Sequence, residues 1–151
     1  MALFALIPSV VGADAASDLP AARAKWKVAA IATYSFVYTD KGDMMIAPPC
    51  AWYILRTHVR NGKPSLSVIV GGGGSCPPGT VLPKSERENA PRTIEALFVI
   101  VERVLNLGPA IARVEVKYDP KYGFPVHLSA EKIGISDSDE GFEITDFSPG
   151  R

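Results

Sequence analysis

Apolar and polar positions along the chain alternate between a helical and a two-residue period. Leu19, Ala22, Trp26, Ala29 and Ala30 recur at helical spacing, with Arg23, Lys25 and Lys27 between them. This predicts an amphipathic helix docked through Trp26, with Ser17 or Asp18 as its cap and Pro20 in its first turn. Strand signals follow. Tyr34, Phe36 and Tyr38 alternate with Ser35, Val37 and Thr39, and Asp40-Lys41-Gly42-Asp43 breaks the run. Trp52 to Val59 reads as the next strand. Asn61-Gly62 then supplies the two left-handed residues of a tight hairpin turn. On the return, Leu66, Val68 and Val70 alternate with Ser65, Ser67 and Ile69.

A long loop is predicted over 71–92, where glycines and prolines oppose regular structure. Thr93 then caps a second helix with Ile94, Leu97, Phe98, Val101, Val104 and Leu105 as its buried stripe and Gly108-Pro109 as its stop. Glu95, Glu102 and Arg103 are predicted to face water. Val114, Val116 and Tyr118 form the inward side of a period-two strand, and Asp119 to Gly123 turns the chain. Phe124, Val126, Leu128 and Ala130 alternate on the way back, and Phe142 to Phe147 closes the pattern. The expected fold is α+β, in the order α-β-β-β-α-β-β-β. Hairpins dominate, so the sheet should be mostly antiparallel, of about five to six strands, with both helices on one face.

Composition narrows the class. At 151 residues and 47% hydrophobic, the chain can bury one core. Lys+Arg and Asp+Glu balance at 16 each, so no global basic field draws in nucleic acid. Ala2 to Val11 is an apolar run too short to span a bilayer, and Ala13-Asp14-Ala15 follows it in a small-x-small pattern. Residues 1–15 are therefore expected to be a signal peptide and 16–151 a single periplasmic or secreted domain, although no Lys or Arg precedes the apolar run. No other stretch approaches the length of a membrane helix, and a monomer is expected.

The motif string resembles an exported bacterial family, domain of unknown function 6174. The carrying residues are Trp26 before Tyr34-Ser35-Phe36, Val59 to Lys63, Thr93 to Phe98, Val114 to Pro125, and Asp137 to Glu140 leading to Ile144-Thr145-Asp146-Phe147. The resemblance implies export and an α+β fold, and no reaction. One departure stands out. The family carries a Cys-x-Cys pair after the Tyr-Ser strand, where this chain has Cys50-Ala51-Trp52 and a second cysteine at Cys76.

Candidate chemistry is sparse. If residue 60 faces 63 across the turn, 50 faces 73. Cys76 then lies within reach for a disulfide with Cys50, with a stabilisation of about 3–4 kcal/mol. No Cys-x-x-Cys motif suggests a redox pair. Gly71 to Gly74 invites a phosphate-loop reading, but the lysine is missing and Pro77-Pro78 removes backbone donors. His58 and His127 are the two histidines, without the spacing of a zinc site and without a Gly-x-Ser-x-Gly elbow nearby. Asp137, Asp139 and Glu140 begin like a calcium loop and lack its glycine and closing glutamate. No cofactor is implied. The expected function is a non-catalytic module that binds a protein or ligand through its sheet face or through the loop around Gly71, Gly74, Pro77 and Pro78. The alternatives are a small hydrolase using His58 or His127 with the acidic turn, and an inhibitor that inserts the loop into an extracellular enzyme.

Overall fold

The computed structural model describes residues 13–42, 50, 53–72, 74–87, 90–134 and 139–150. Helix α1 spans Ala13–Ala29, and strands β1 (Tyr34–Asp40), β2 (Ile54–Arg60) and β3 (Lys63–Gly71) follow. After a short helix α2 (Lys84–Arg87) come α3 (Ile94–Leu105), a 3₁₀ turn (Gly108–Ala110), β4 (Ile111–Tyr118), β5 (Pro125–Lys132) and β6 (Glu140–Pro149). The strands form one six-stranded sheet in the order β3-β2-β1-β6-β5-β4, with every described pairing antiparallel. This is the α+β architecture that the hydrophobic periods imply.

The helices cover one face. Leu19, Ala22 and Trp26 of α1 and Ile94, Leu97, Phe98, Val101 and Val104 of α3 are buried against Tyr34, Phe36, Leu55, Ile69, Leu128 and Phe142. Trp26 meets Tyr34 and Phe124 edge-on, at 5.4 Å and 5.9 Å between centroids. Its Nε1 donates to Glu95 Oε1 (3.0 Å), and Tyr34 Oη donates to the other Glu95 oxygen (3.4 Å). Tyr34 Oη also accepts from Ile94 N (3.0 Å). Thr93 caps α3 by accepting from Ala96 N (3.1 Å). The start of α3 is thus tied to α1 and β1 through groups that would otherwise be buried unpaired.

Four local expectations change. Helix α1 runs from Ala13, so Pro20 sits inside it rather than in its first turn. Ala13, Ala15 and Ala16 have high helix propensity, and the helix begins at Ala13, ahead of the expected Ser17 or Asp18 cap. Ala30 is exposed and left-handed (φ +52°), so it ends the helix instead of packing. The loop over 71–92 is not free of regular structure. It contains α2, and its residues 79–82 lie along the outer edge of β3. There Ile69 N donates to Thr80 O, Gly79 N to Ile69 O and Leu82 N to Ser67 O. An edge strand leaves its backbone groups unpaired, and this segment satisfies them while burying Leu82 completely. Finally, Glu95 and Arg103 do not simply face water: Glu95 binds Trp26 and Tyr34, and Arg103 grips Glu140.

Bulges set the remaining geometry. Phe142 and Phe147 are an odd number of residues apart, so a regular strand would put them on opposite faces. A register shift in the β1–β6 pairing, with Asp146 left-handed at φ +49°, turns Phe147 back to the core. There it stacks 4.5 Å from Phe124.

Candidate functional site

The turn between β2 and β3 pairs Arg60 with Lys63, and Asn61 and Gly62 take φ of +50° and +75°. Two register shifts then move β3 along β2, so that Ile54 faces Gly71. They slide the following segment toward Cys50. Cys50 and Cys76 form a disulfide with their Cα atoms 5.2 Å apart, and Cys50 is buried. The regular register places residue 50 opposite 73; the bulges account for the extra reach. Cys76 is half-buried and fixes Gly74, Pro77 and Pro78, which are exposed, at the tip of the loop.

The alternation in β3 resolves in favour of Ser67 and Ile69 as core residues. Thr57 and Ser67 hydroxyls bond across the strands at 3.0 Å, and Arg92 Nε donates to Ser67 Oγ (2.9 Å). Leu66, Val68 and Val70 therefore point to the helix-free face. Val81 bridges Val68 and shares that face. Leu66, Val70 and Val81 are 42%, 43% and 47% exposed, so an aliphatic row stands open beside the disulfide-held loop. The next row, on β2, is Ile54, Arg56, His58 and Arg60. Arg56 pairs with Asp146 at 3.0 Å. His58 is exposed and borders an open hollow of about 510 Å³ with Arg60, Ser35, Ser65 and Ser148.

His127 lies on the same helix-free face, on β5. Its Nδ1 is 2.7 Å from Glu143 and its Nε2 is 3.7 Å from Glu115. His127 lies three strand spacings (about 14 Å) across the sheet from His58 and is also offset along it, since His58 faces Ser35 while His127 aligns through Glu143 with Thr39.

A second region lies on the helix side at the far end of β1. A cavity of about 210 Å³ is lined by Tyr38, Asp40, Arg103, Asp139 and Glu140. Arg103 binds Glu140 through two bonds of 3.1 and 2.7 Å, and Lys132 Nζ adds a third at 2.9 Å. Arg103 and Lys132 hold the Glu140 carboxyl below its ordinary range. Burial pushes the Asp40 carboxyl upward, against the Gly42 N–H that it accepts from and helped by the nearby Glu140 charge. Burial, with Asp40 and Glu86, also pushes Tyr53 up to about 12. Of the three acidic-turn residues, Asp137 lies outside the described residues. Asp139 accepts from Lys132 N (3.4 Å), and Glu140 is held by two cations. Among the described residues no three His, Cys, Asp or Glu side chains converge as metal ligands. The sequence around Asp40 reads as a polar turn; β6 beside β1, with α3 above, leaves it half-buried.

A third hollow, of about 550 Å³, opens between α1 and α3, with Trp26, Ile31, Phe98 and Val99 as its apolar wall. No helix of the described residues is long and apolar enough to cross a membrane.

Searches of the curated proteins and of the solved structures found no match to the chain. A family model matches residues 18–149, which include all six strands, α2, α3 and most of α1. The chain belongs to the family of unknown function DUF6174.

Proposed function

We propose that this domain is a non-catalytic, extracytoplasmic interaction module. It engages a protein partner through the aliphatic row of the helix-free face and the adjoining loop. The observation that carries the reading is the exposure of Leu66 and Val70 on β3 and of Val81 on the segment bridged to it, on a sheet face that folding alone would let be polar. Three exposed aliphatic side chains on one face cost solubility and add little to the core. A disulfide clamps the loop next to them, which lowers the ordering cost of binding. The same bond is at home in an oxidising compartment, in line with the leader-like segment at 1–15. A partner that is itself an enzyme would make the module an inhibitor, with the loop tip at Pro77-Pro78 as the inserting part.

The test is affinity capture from a periplasmic or secreted fraction with three baits: the native chain, the pair Leu66→Thr and Val81→Thr, and Val99→Thr on α3 as a control. The expected result is a partner retained by the native and Val99→Thr baits and lost from the double variant. A partner retained equally by all three would overturn the assignment of this face. Turnover of model esters, phosphoesters, glycosides or peptides that disappears in Asp40→Asn would instead establish the Asp40 cavity as a hydrolytic site.

A further inference from the structure

We infer that the hollow at the turn end of the helix-free face is a binding site for a small organic anion carrying a phosphate or carboxylate. His58 and Arg60 stand two residues apart on β2 and so project from the same face, roughly 7 Å from one another. That spacing suits a pair of donors converging on one anionic group. Ser35 and Ser148, from the neighbouring strands β1 and β6, face each other in the register and bring hydroxyls to the opposite wall. No Asp or Glu lines the hollow, and Arg60 makes no ion pair with another described residue. On a chain with no net charge, and on a face where Arg56 and His127 each have a carboxylate, that makes this hollow an exception.

The walls are held in place by the fold. Gly62 N donates to Ala32 O (2.7 Å), Gly150 N donates to Thr33 O (2.7 Å), and Asn61 N donates to Thr33 Oγ1 (3.3 Å). A side chain at Gly150 would put its Cβ 2.6 Å from Thr33 Cγ2, so the end of β6 is pressed against the strand start that forms one wall. Ser65 Oγ is spent on His58 O (3.1 Å), which fixes the backbone that carries the imidazole. The site is therefore preorganised, and binding orders mainly the arginine side chain. Leu66 at the rim offers apolar contact to the carbon skeleton of the ligand.

The hollow shares only Leu66 with the aliphatic row, so variants of Val70 and Val81 separate anion binding from protein capture. The experiment follows backbone amide NMR shifts of the labelled chain during titration with inorganic phosphate, glycerol 3-phosphate, succinate and uncharged glycerol. Saturable shifts are expected for the three anions and not for glycerol, centred on Thr33, Ser35, His58, Arg60 and Gly150. Arg60→Gln should weaken the tightest of them by about tenfold or more, as the loss of one charge-assisted contact implies. Val70→Thr with Val81→Thr, neither of which lines the hollow, should leave anion binding within about threefold while weakening protein capture. No saturable shift with any anion, or shifts spread over all cationic surfaces and unchanged in Arg60→Gln, would overturn the site. Sedimentation with acidic phospholipid vesicles in the absence of any binding of free glycerol 3-phosphate would overturn the small-ligand assignment in favour of a membrane surface.

Discussion

The two faces of the sheet are built from the same strands and are used in opposite ways. On the helix side most groups packed against the sheet have a structural partner, while Val28 and Val99 on the helices stay exposed. Trp26, Tyr34, Phe124 and Phe147 interlock, and Glu95 collects the indole and phenol hydrogens of that cluster. Even the hydroxyls of Thr57 and Ser67 are paired there. On the other face, the β4–β6 half carries matched charges such as His127 between Glu143 and Glu115. The β2–β3 half carries exposed aliphatics and Arg60, which has no carboxylate partner among the described residues. Folding accounts for the first face and for the charged half of the second. It leaves the β2–β3 half without a structural reason, which is why function is assigned to it.

Stability should fall most where the helix side is cut. Trp26→Ala should have the largest effect, a loss of about 3–5 kcal/mol, because it removes three edge-on ring contacts and leaves Glu95 without its indole donor. Urea unfolding measures it. Replacing both Cys50 and Cys76 by Ser comes next. With a separation of 26 residues, the chain-entropy model gives about 3–4 kcal/mol. Trypsin should then cut preferentially at Lys84 or Arg87, in the segment that the bond helps to hold. Ser67→Ala should cost about 1–3 kcal/mol, since Thr57 Oγ1 loses the bond that satisfies it in a buried position.

The acidic cavity makes the stability of the helix side depend on pH. Asp40 has a raised pKa in the folded chain, so folding disfavours its charged form. That penalty is fully present above the folded pKa and is relieved as pH falls toward the unfolded value. Glu140 has a lowered pKa, so its contribution is full above the unfolded carboxylate value and is lost as pH falls through the folded one. Asp40→Asn should therefore raise the urea midpoint at neutral pH and Glu140→Gln should lower it. Both differences should shrink on acidification below about pH 4. Opposite signs at neutral pH are the check.

Much of this fold was legible because its strongest signals are local. The apolar stripe of α3, the Asn61-Gly62 turn and the Tyr118–Phe124 hairpin each follow from a few neighbouring residues. The features that matter for the site are not local. The facing of Leu66, Val68 and Val70 depends on bulges that no periodicity reveals, since either phase of β3 offers an aliphatic residue to the core. The inward turn of Phe147 needs a left-handed Asp146, and the burial of Asp40 needs β6 at its side. The Cys50–Cys76 bond was reachable by counting residues across the hairpin, although the register that closes it differs from the regular one.

In the proposed function the β2–β3 half of the helix-free face serves binding and not stability, and urea unfolding of Leu66→Thr with Val81→Thr, the variant used for capture, decides between the two. The unfolding free energy is expected to stay within about 0.5 kcal/mol of the native chain, as for substitutions on an open surface. A loss of about 2 kcal/mol or more, the size of a core truncation, would show that these side chains are spent on the fold and would contradict the account.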